Sequence, residues 1–146
     1  MKRDSRWQIN SILSLTSAVL LTGCPPADDG DLPDPDGQAI SFSGDVQPII
    51  NARCTDCHRP GGFGPDSGVV MLLTSDRAYG DLVDQPSSQD GELVLVVPGD
   101  ADASLLFQKV ASNDPPVGSR MPLFGMLTAD EIAIIRDWID QGAADN

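Results

Sequence analysis

The sequence predicts an all-α domain with long loops, preceded by an export signal and an acidic tether. Three observations carry this. Apolar residues recur at helical spacing in several short stretches, ending with Ile132, Ile135, Trp138 and Ile139. Between them lie long runs rich in Pro and Gly, such as Arg59 to Pro65, which read as loops. Only Leu93 to Val97 looks like a strand by propensity. A lone strand lacks a partner, so it is expected to be an extended packed segment.

The N-terminus is expected to be a lipoprotein signal over residues 1–23. Lys2, Arg3 and Arg6 form a basic start, and Ile12 to Leu21 is an apolar stretch too short for a membrane span of about 20 residues. Leu21-Thr22-Gly23-Cys24 follows and resembles the bacterial lipobox. In that family of signals the Cys receives diacylglycerol and becomes the first mature residue, which here assigns lipidation to Cys24. A lipid anchor in a membrane of the cell envelope follows, either periplasm-facing or in the outer membrane. Residues 24–40, rich in Pro, Asp and Gly, read as a solvated tether. The folded domain is expected over 41–146.

The net charge is −13, with a pI near 4.1. Losing the signal removes three basic residues and only Asp4, taking the charge to about −15. Phosphate repels such a surface, which excludes nucleic acid as a partner. A redox partner with a basic docking surface suits it, as does plain solubility.

The first helix is expected to start at a cap between Ser43 and Asp45, with Val46, Ile49, Ile50 and Arg53 at helical spacing and Pro48 in the first turn. A second is expected from Thr74 or Ser75, with Ala78, Tyr79, Leu82 and Val83 on one face. Gln85 to Gly91 reads as a flexible loop. Asp102 is expected to cap a helix carrying Leu105, Leu106 and Val110. In the last helix Thr128 and Glu131 form a capping box, and Gly142 is the expected terminator.

The chemistry lies in Cys54-Thr55-Asp56-Cys57-His58. The chain has 3 cysteines, and with Cys24 lipidated the other two remain as a close pair ending in the only histidine. Positions i, i+3 and i+4 share a face in a helical turn. Two thiols can there reach the two vinyl groups of one porphyrin, with the imidazole reaching the iron. This spacing is the attachment signature of c-type haem. Other readings fall short. A structural zinc site wants about four protein ligands, and a thioredoxin-like dithiol wants a βαβ context. A chance match is opposed by the export signal and by a candidate second ligand. Cys54 and Cys57 are therefore expected to hold one haem c covalently, with His58 as the proximal ligand. Pro60 or Pro65 is expected to offer a carbonyl to the His58 ring N–H.

With a single histidine, the second axial position falls to a methionine, to another group, or stays open. Met71, Met121 and Met126 are each by default core residues. Met121 stands out, because Pro122 stiffens its loop and Gly118 allows backbone to approach a flat ring.

Phe42 to Ile50, the Cys54–His58 motif, Val97-Pro98-Gly99-Asp100 before Ser104-Leu105-Leu106, Met121-Pro122, and Trp138-Ile139 with Gly142-Ala143 together resemble the planctomycete-type cytochrome c domains. The resemblance spans about residues 42–144. It implies a class I cytochrome c-like fold, with N- and C-terminal helices packed beside one haem, His58 proximal and Met121 distal. Met126 is the rival ligand, and the insert at Gln85 to Gly91 has no counterpart role.

The function expected is a membrane-tethered monohaem electron carrier and not an enzyme, since His/Met ligation saturates the iron. The alternatives are a haem enzyme or gas sensor with an open distal site, and a structural docking module of a larger redox complex. The first is weakened by the lack of a second His for acid–base work.

Overall fold

The computed structural model describes residues 38–146. The signal, Cys24 and most of the tether lie outside the described residues. Among the described residues, no helix is long and apolar enough to cross a membrane.

The chain enters through a π-helical turn, Phe42–Val46, which runs directly into α1, Gln47–Arg53. The N-cap is Ser41, earlier than the expected Ser43–Asp45. Its side chain accepts from the Gly44 N–H, while its own N–H donates to Asp45 Oδ2 at 2.8 Å. The reciprocal arrangement satisfies two backbone groups that a helix start leaves open. Pro48 sits in the first turn of α1, where its missing N–H costs no helical bond.

After the Cys54–His58 turn comes α2, Phe63–Asp66, a single helical turn in a stretch expected to be loop. Next are α3, Ala78–Leu82, and α4, Leu105–Ala111. Asp102 does not cap α4. Ser104 holds the N-cap position, and its hydroxyl is taken up by the preceding loop, donating to the Asp100 carbonyl and accepting from the Val97 N–H. Asp102 instead pairs with Arg136 on α5 at 3.2 Å. Leu93 to Val97 is extended but makes only isolated bridges, Pro86 with Val94 and Val83 with Val96.

The last helix, α5, spans Ala129–Asp140. Thr128 accepts from the Glu131 N–H, and Glu131 accepts from the Thr128 N–H. Ile135, Trp138 and Ile139 face inward and are buried, and Gly142 follows the helix with φ 100°. That conformation suits a residue without a β-carbon.

The core joins the two ends of the chain. Phe42 packs on Trp138 at 5.1 Å and on Tyr79 at 5.3 Å between ring centroids. Trp138 is fully buried, and its indole N–H donates to the Ala144 carbonyl. Tyr79 donates to the Ala143 carbonyl. Asn146 closes the seam, accepting from Ser43 N–H and, through its side chain, from Phe42 N–H. Apolar burial supplies the driving force, and the tail carbonyls satisfy the polar tips of the buried aromatic rings.

Candidate functional site

Cys54 is the C-cap of α1, and its N–H still bonds to the Ile50 carbonyl at 2.8 Å. The Cys54 carbonyl then accepts from both Cys57 and His58 N–H, which winds the motif into a tight turn. Three contacts clasp that turn from outside. Gly64 N–H donates to the Cys57 carbonyl at 2.9 Å, Leu73 N–H to the His58 carbonyl at 2.7 Å, and Thr55 Oγ1 to the Leu73 carbonyl at 2.8 Å. Both thiols are free.

Burial pushes the Cys54 thiol up to about 11, with the neighbouring Cys57 and Glu131 adding to the shift and Arg53 opposing it. A reactive dithiol needs the opposite, a depressed pKa that exposes thiolate. Among the described residues, no group of three His, Cys, Asp or Glu side chains could hold a metal ion. The raised pKa of the Cys54 thiol weighs against thiol exchange at this turn.

His58 is buried, 8 % exposed. Its pKa is lowered, mainly by burial, with the Met71 carbonyl opposing and the Lys109 charge assisting. A neutral imidazole is the form that ligates metal. Nδ1 is buried and has no partner in hydrogen-bonding geometry. The expected carbonyl of Pro60 or Pro65 is therefore not in bonding position at Nδ1. The 69–73 segment is fastened to the motif by the Leu73 N–H to His58 carbonyl bond.

The Nδ1 edge of the ring lies against Gly64, where a β-carbon would come within 2.8 Å of Nδ1 and 3.1 Å of Cε1. At Gly62 a β-carbon would lie 2.5 Å from the Cys57 carbonyl oxygen. The Gly-rich stretch after the motif is therefore a close-fitting seat for His58, built on α2, rather than a plain loop.

Cys54, Cys57, His58 and Met121 line one cavity, of about 1160 Å³ with its open mouth included. Its walls include Leu73, Leu82, Leu95, Leu105 and Val110, all apolar. Four exposed apolar side chains also line it: Phe63, Val70, Leu123 and Phe124, the last 87 % exposed. Clustered apolar exposure of this kind marks a binding site. Met126 is 64 % exposed and is not part of the lining. Met71, partly buried against the core, is on the wall too.

Two sequence expectations are revised here. Gly118 has φ 64°, and the groups it approaches are the side chains of Gln89 and Lys109, which stand on the cavity wall. The 85–91 insert contributes wall: Ser87, which is buried, together with Ser88 and Gln89. Lys109, unremarked in the sequence, also stands on the wall. Only its position on α4, four residues beyond Leu105 on the same face, signals it.

No family model matches the chain. Hydrazine synthase subunit alpha of Kuenenia stuttgartiensis is 30 % identical over 124 residues, covering 73 % of this chain and 15 % of that protein. A solved structure of hydrazine synthase from the same organism matches at 29 % identity with a TM-score of 0.45, covering 71 % of this chain and 16 % of its own. The chain thus spans a small fraction of the proteins it matches. The expectation of a protein that is not an enzyme is overturned by this finding: the relative is, by name, a subunit of a synthase, and this chain is similar to one segment of it.

Proposed function

We propose that the chain is a monohaem c-type module that carries single electrons for a redox enzyme. The observation that carries this reading is the one cavity shared by Cys54, Cys57, His58 and Met121. Similarity to a segment of a synthase subunit favours service to an enzyme over free carriage. The fold in this reading is class I cytochrome c-like, with the Phe42–Trp138 contact as the seam between the terminal helices.

The residues fit the group. Cys54 and Cys57 would hold it by two thioethers, formed by addition of each thiol across a vinyl group. His58 is seated with Nδ1 inward, which leaves Nε2 for the iron. The apolar wall and the rim of Phe63, Val70, Leu123 and Phe124 would cover a flat apolar ring and keep water from it. Haem, when bound, supplies a one-electron iron couple. Met121 would supply a thioether ligand to the iron, which would raise the potential and keep small molecules off it.

The rest of the proposal rests on sequence. Cys24 carries a lipid anchor, residues 24–40 form a tether that sets the reach of the domain, and the acidic surface steers a partner with a basic face. The domain is exported to the cell envelope and held at a membrane there, periplasm-facing or at the outer membrane.

Acid–acetone extraction with mass spectrometry tests the covalent link. The expected result is a polypeptide that keeps the haem mass. Release of haem into the solvent would refute the reading. A visible spectrum of the reduced protein with and without CO tests the iron. No change on adding CO is expected. CO uptake would favour an open-site haem enzyme or sensor, the reading that the similarity to a synthase subunit also supports.

A further inference from the structure

The segment that bears Met121 hangs on one residue of α4. The Met121 N–H donates to the Lys109 carbonyl at 2.8 Å. The Lys109 ammonium reaches along the same segment and donates to the Val117 carbonyl at 2.7 Å and the Ser119 carbonyl at 3.3 Å. Arg120 adds a second strap, its guanidinium donating to the Val110 carbonyl at 3.0 Å and to the Asn113 side chain. Among the described residues, no backbone–backbone hydrogen bond joins residues 113–120 to the rest of the chain. Side chains from α4 and from the loop itself do the ordering.

Lys109 is a costly choice for that task unless its charge is used. An ammonium is strongly hydrated, and lysine normally keeps it in water. Here the ammonium donates to carbonyls, and the side chain stands on the wall of the cavity that His58 and Met121 also line. Gly118 lies beside the same contact: a β-carbon there would meet the Gln89 amide at 2.9 Å and Nζ at 3.1 Å, at φ 64°.

We propose that Lys109 is the positioning residue for Met121: its ammonium and its carbonyl together hold residues 117–121 on α4, so that the Met121 side chain stays at the cavity opposite His58. This rests on the reading of Met121 as the distal ligand, and it adds the device that keeps the ligand in place. Lys109 itself touches neither iron nor substrate in this scheme.

The test is CO binding to the reduced haem protein, for Lys109→Leu, Lys109→Arg and Met121→Ala beside the unmutated chain. Lys109→Leu removes the donors and leaves the covalent haem link untouched. It is expected to raise CO occupancy at fixed CO pressure by on the order of tenfold, as the share of chains with an open iron rises. Lys109→Arg keeps two N–H donors and is expected to exclude CO. Equal CO uptake in both lysine variants would show that the donors do not hold the loop, and would overturn the proposal. A Lys109→Leu protein as closed as the unmutated one, with Met121→Ala open, would overturn the role of Lys109 and leave Met121 as the ligand. A closed Met121→Ala protein, or CO uptake by the unmutated chain, would overturn the ligand assignment and the positioning role with it. Should Lys109→Leu fail to accumulate, Lys109→Ala removes the same donors without placing a branched side chain on the wall. It too is expected to admit CO, and a closed Lys109→Ala protein would overturn the proposal.

Discussion

Gly64 lies so close to His58 that a β-carbon on it would stand 2.8 Å from the imidazole Nδ1. Real contacts of that kind do not form, so any side chain at 64 must push either the ring or the α2 turn aside. Gly64→Ala is therefore expected to destabilise the domain by about 1–3 kcal/mol, the usual cost of overpacking. For a domain of this size each kcal/mol corresponds to roughly 4–8 °C in Tm. Thermal unfolding measures the loss, and haem content per chain reads whether His58 still reaches its place. An unchanged Tm with full haem content would mean that the turn yields freely.

Met121 and Met126 are expected to separate under mutation. Met121→Ala opens the iron to CO in the reduced form and lowers the potential, because a strong-field thioether is lost. Met126 is 64 % exposed, so Met126→Ala is expected to leave the spectrum unchanged and to cost within about 0.5 kcal/mol. A buried Met126 would have cost several times more. Paired CO titrations and urea unfolding of the two variants decide. CO binding to Met126→Ala alone would move the ligand role to that residue.

Glu131 ties α5 to the motif, since it accepts from the Thr128 N–H and pairs with Arg53 at 2.9 Å, next to Cys54. Its pKa is lowered, first by the Thr128 backbone N–H and then by Arg53. A depressed folded-state pKa means stability that is present above the ordinary carboxyl value and is lost as pH falls through the lower folded one. Glu131→Gln is thus expected to be less stable than the unmutated chain at pH 7. The exposed pair limits the difference to at most about 1 kcal/mol. The gap should close in acid, once pH falls below the lowered folded-state value and Glu131 is protonated. Denaturant unfolding at pH 7 and in acid checks this, and a gap that widens in acid would contradict the sign.

Cys24 lies outside the described residues, and its prediction rests on the lipobox pattern. Cys24→Ser is expected to free the exported protein from membranes without altering its haem spectrum. Fractionation and mass spectrometry of the mature N-terminus test this. A native protein that begins at another residue and is soluble after export would refute the anchor.

What could be read from sequence was local. The capping box at Thr128 and Glu131, the Gly142 terminator and the Cys54–His58 turn each depend on residues within about four positions, where spacing alone sets which groups meet. The place of Met126, two residues ahead of a helix cap, was legible for the same reason. The helix starts at Ser41 and Ser104 were misjudged by a few residues, because several Ser and Asp side chains compete and only long-range contacts choose among them. Asp102 was lost to Arg136 on a distant helix. The surroundings of His58 came only with the tertiary structure. The Leu73 N–H, fifteen residues on, clasps the His58 carbonyl, and Thr55 returns the contact to the Leu73 carbonyl. Lys109 reached the Met121 loop in the same way. Sequence alone determined the Cys54–His58 turn and the helix that ends beside it. Which segment clasps that turn and which cation holds the methionine loop are contacts between segments distant in sequence, and only packing decides them.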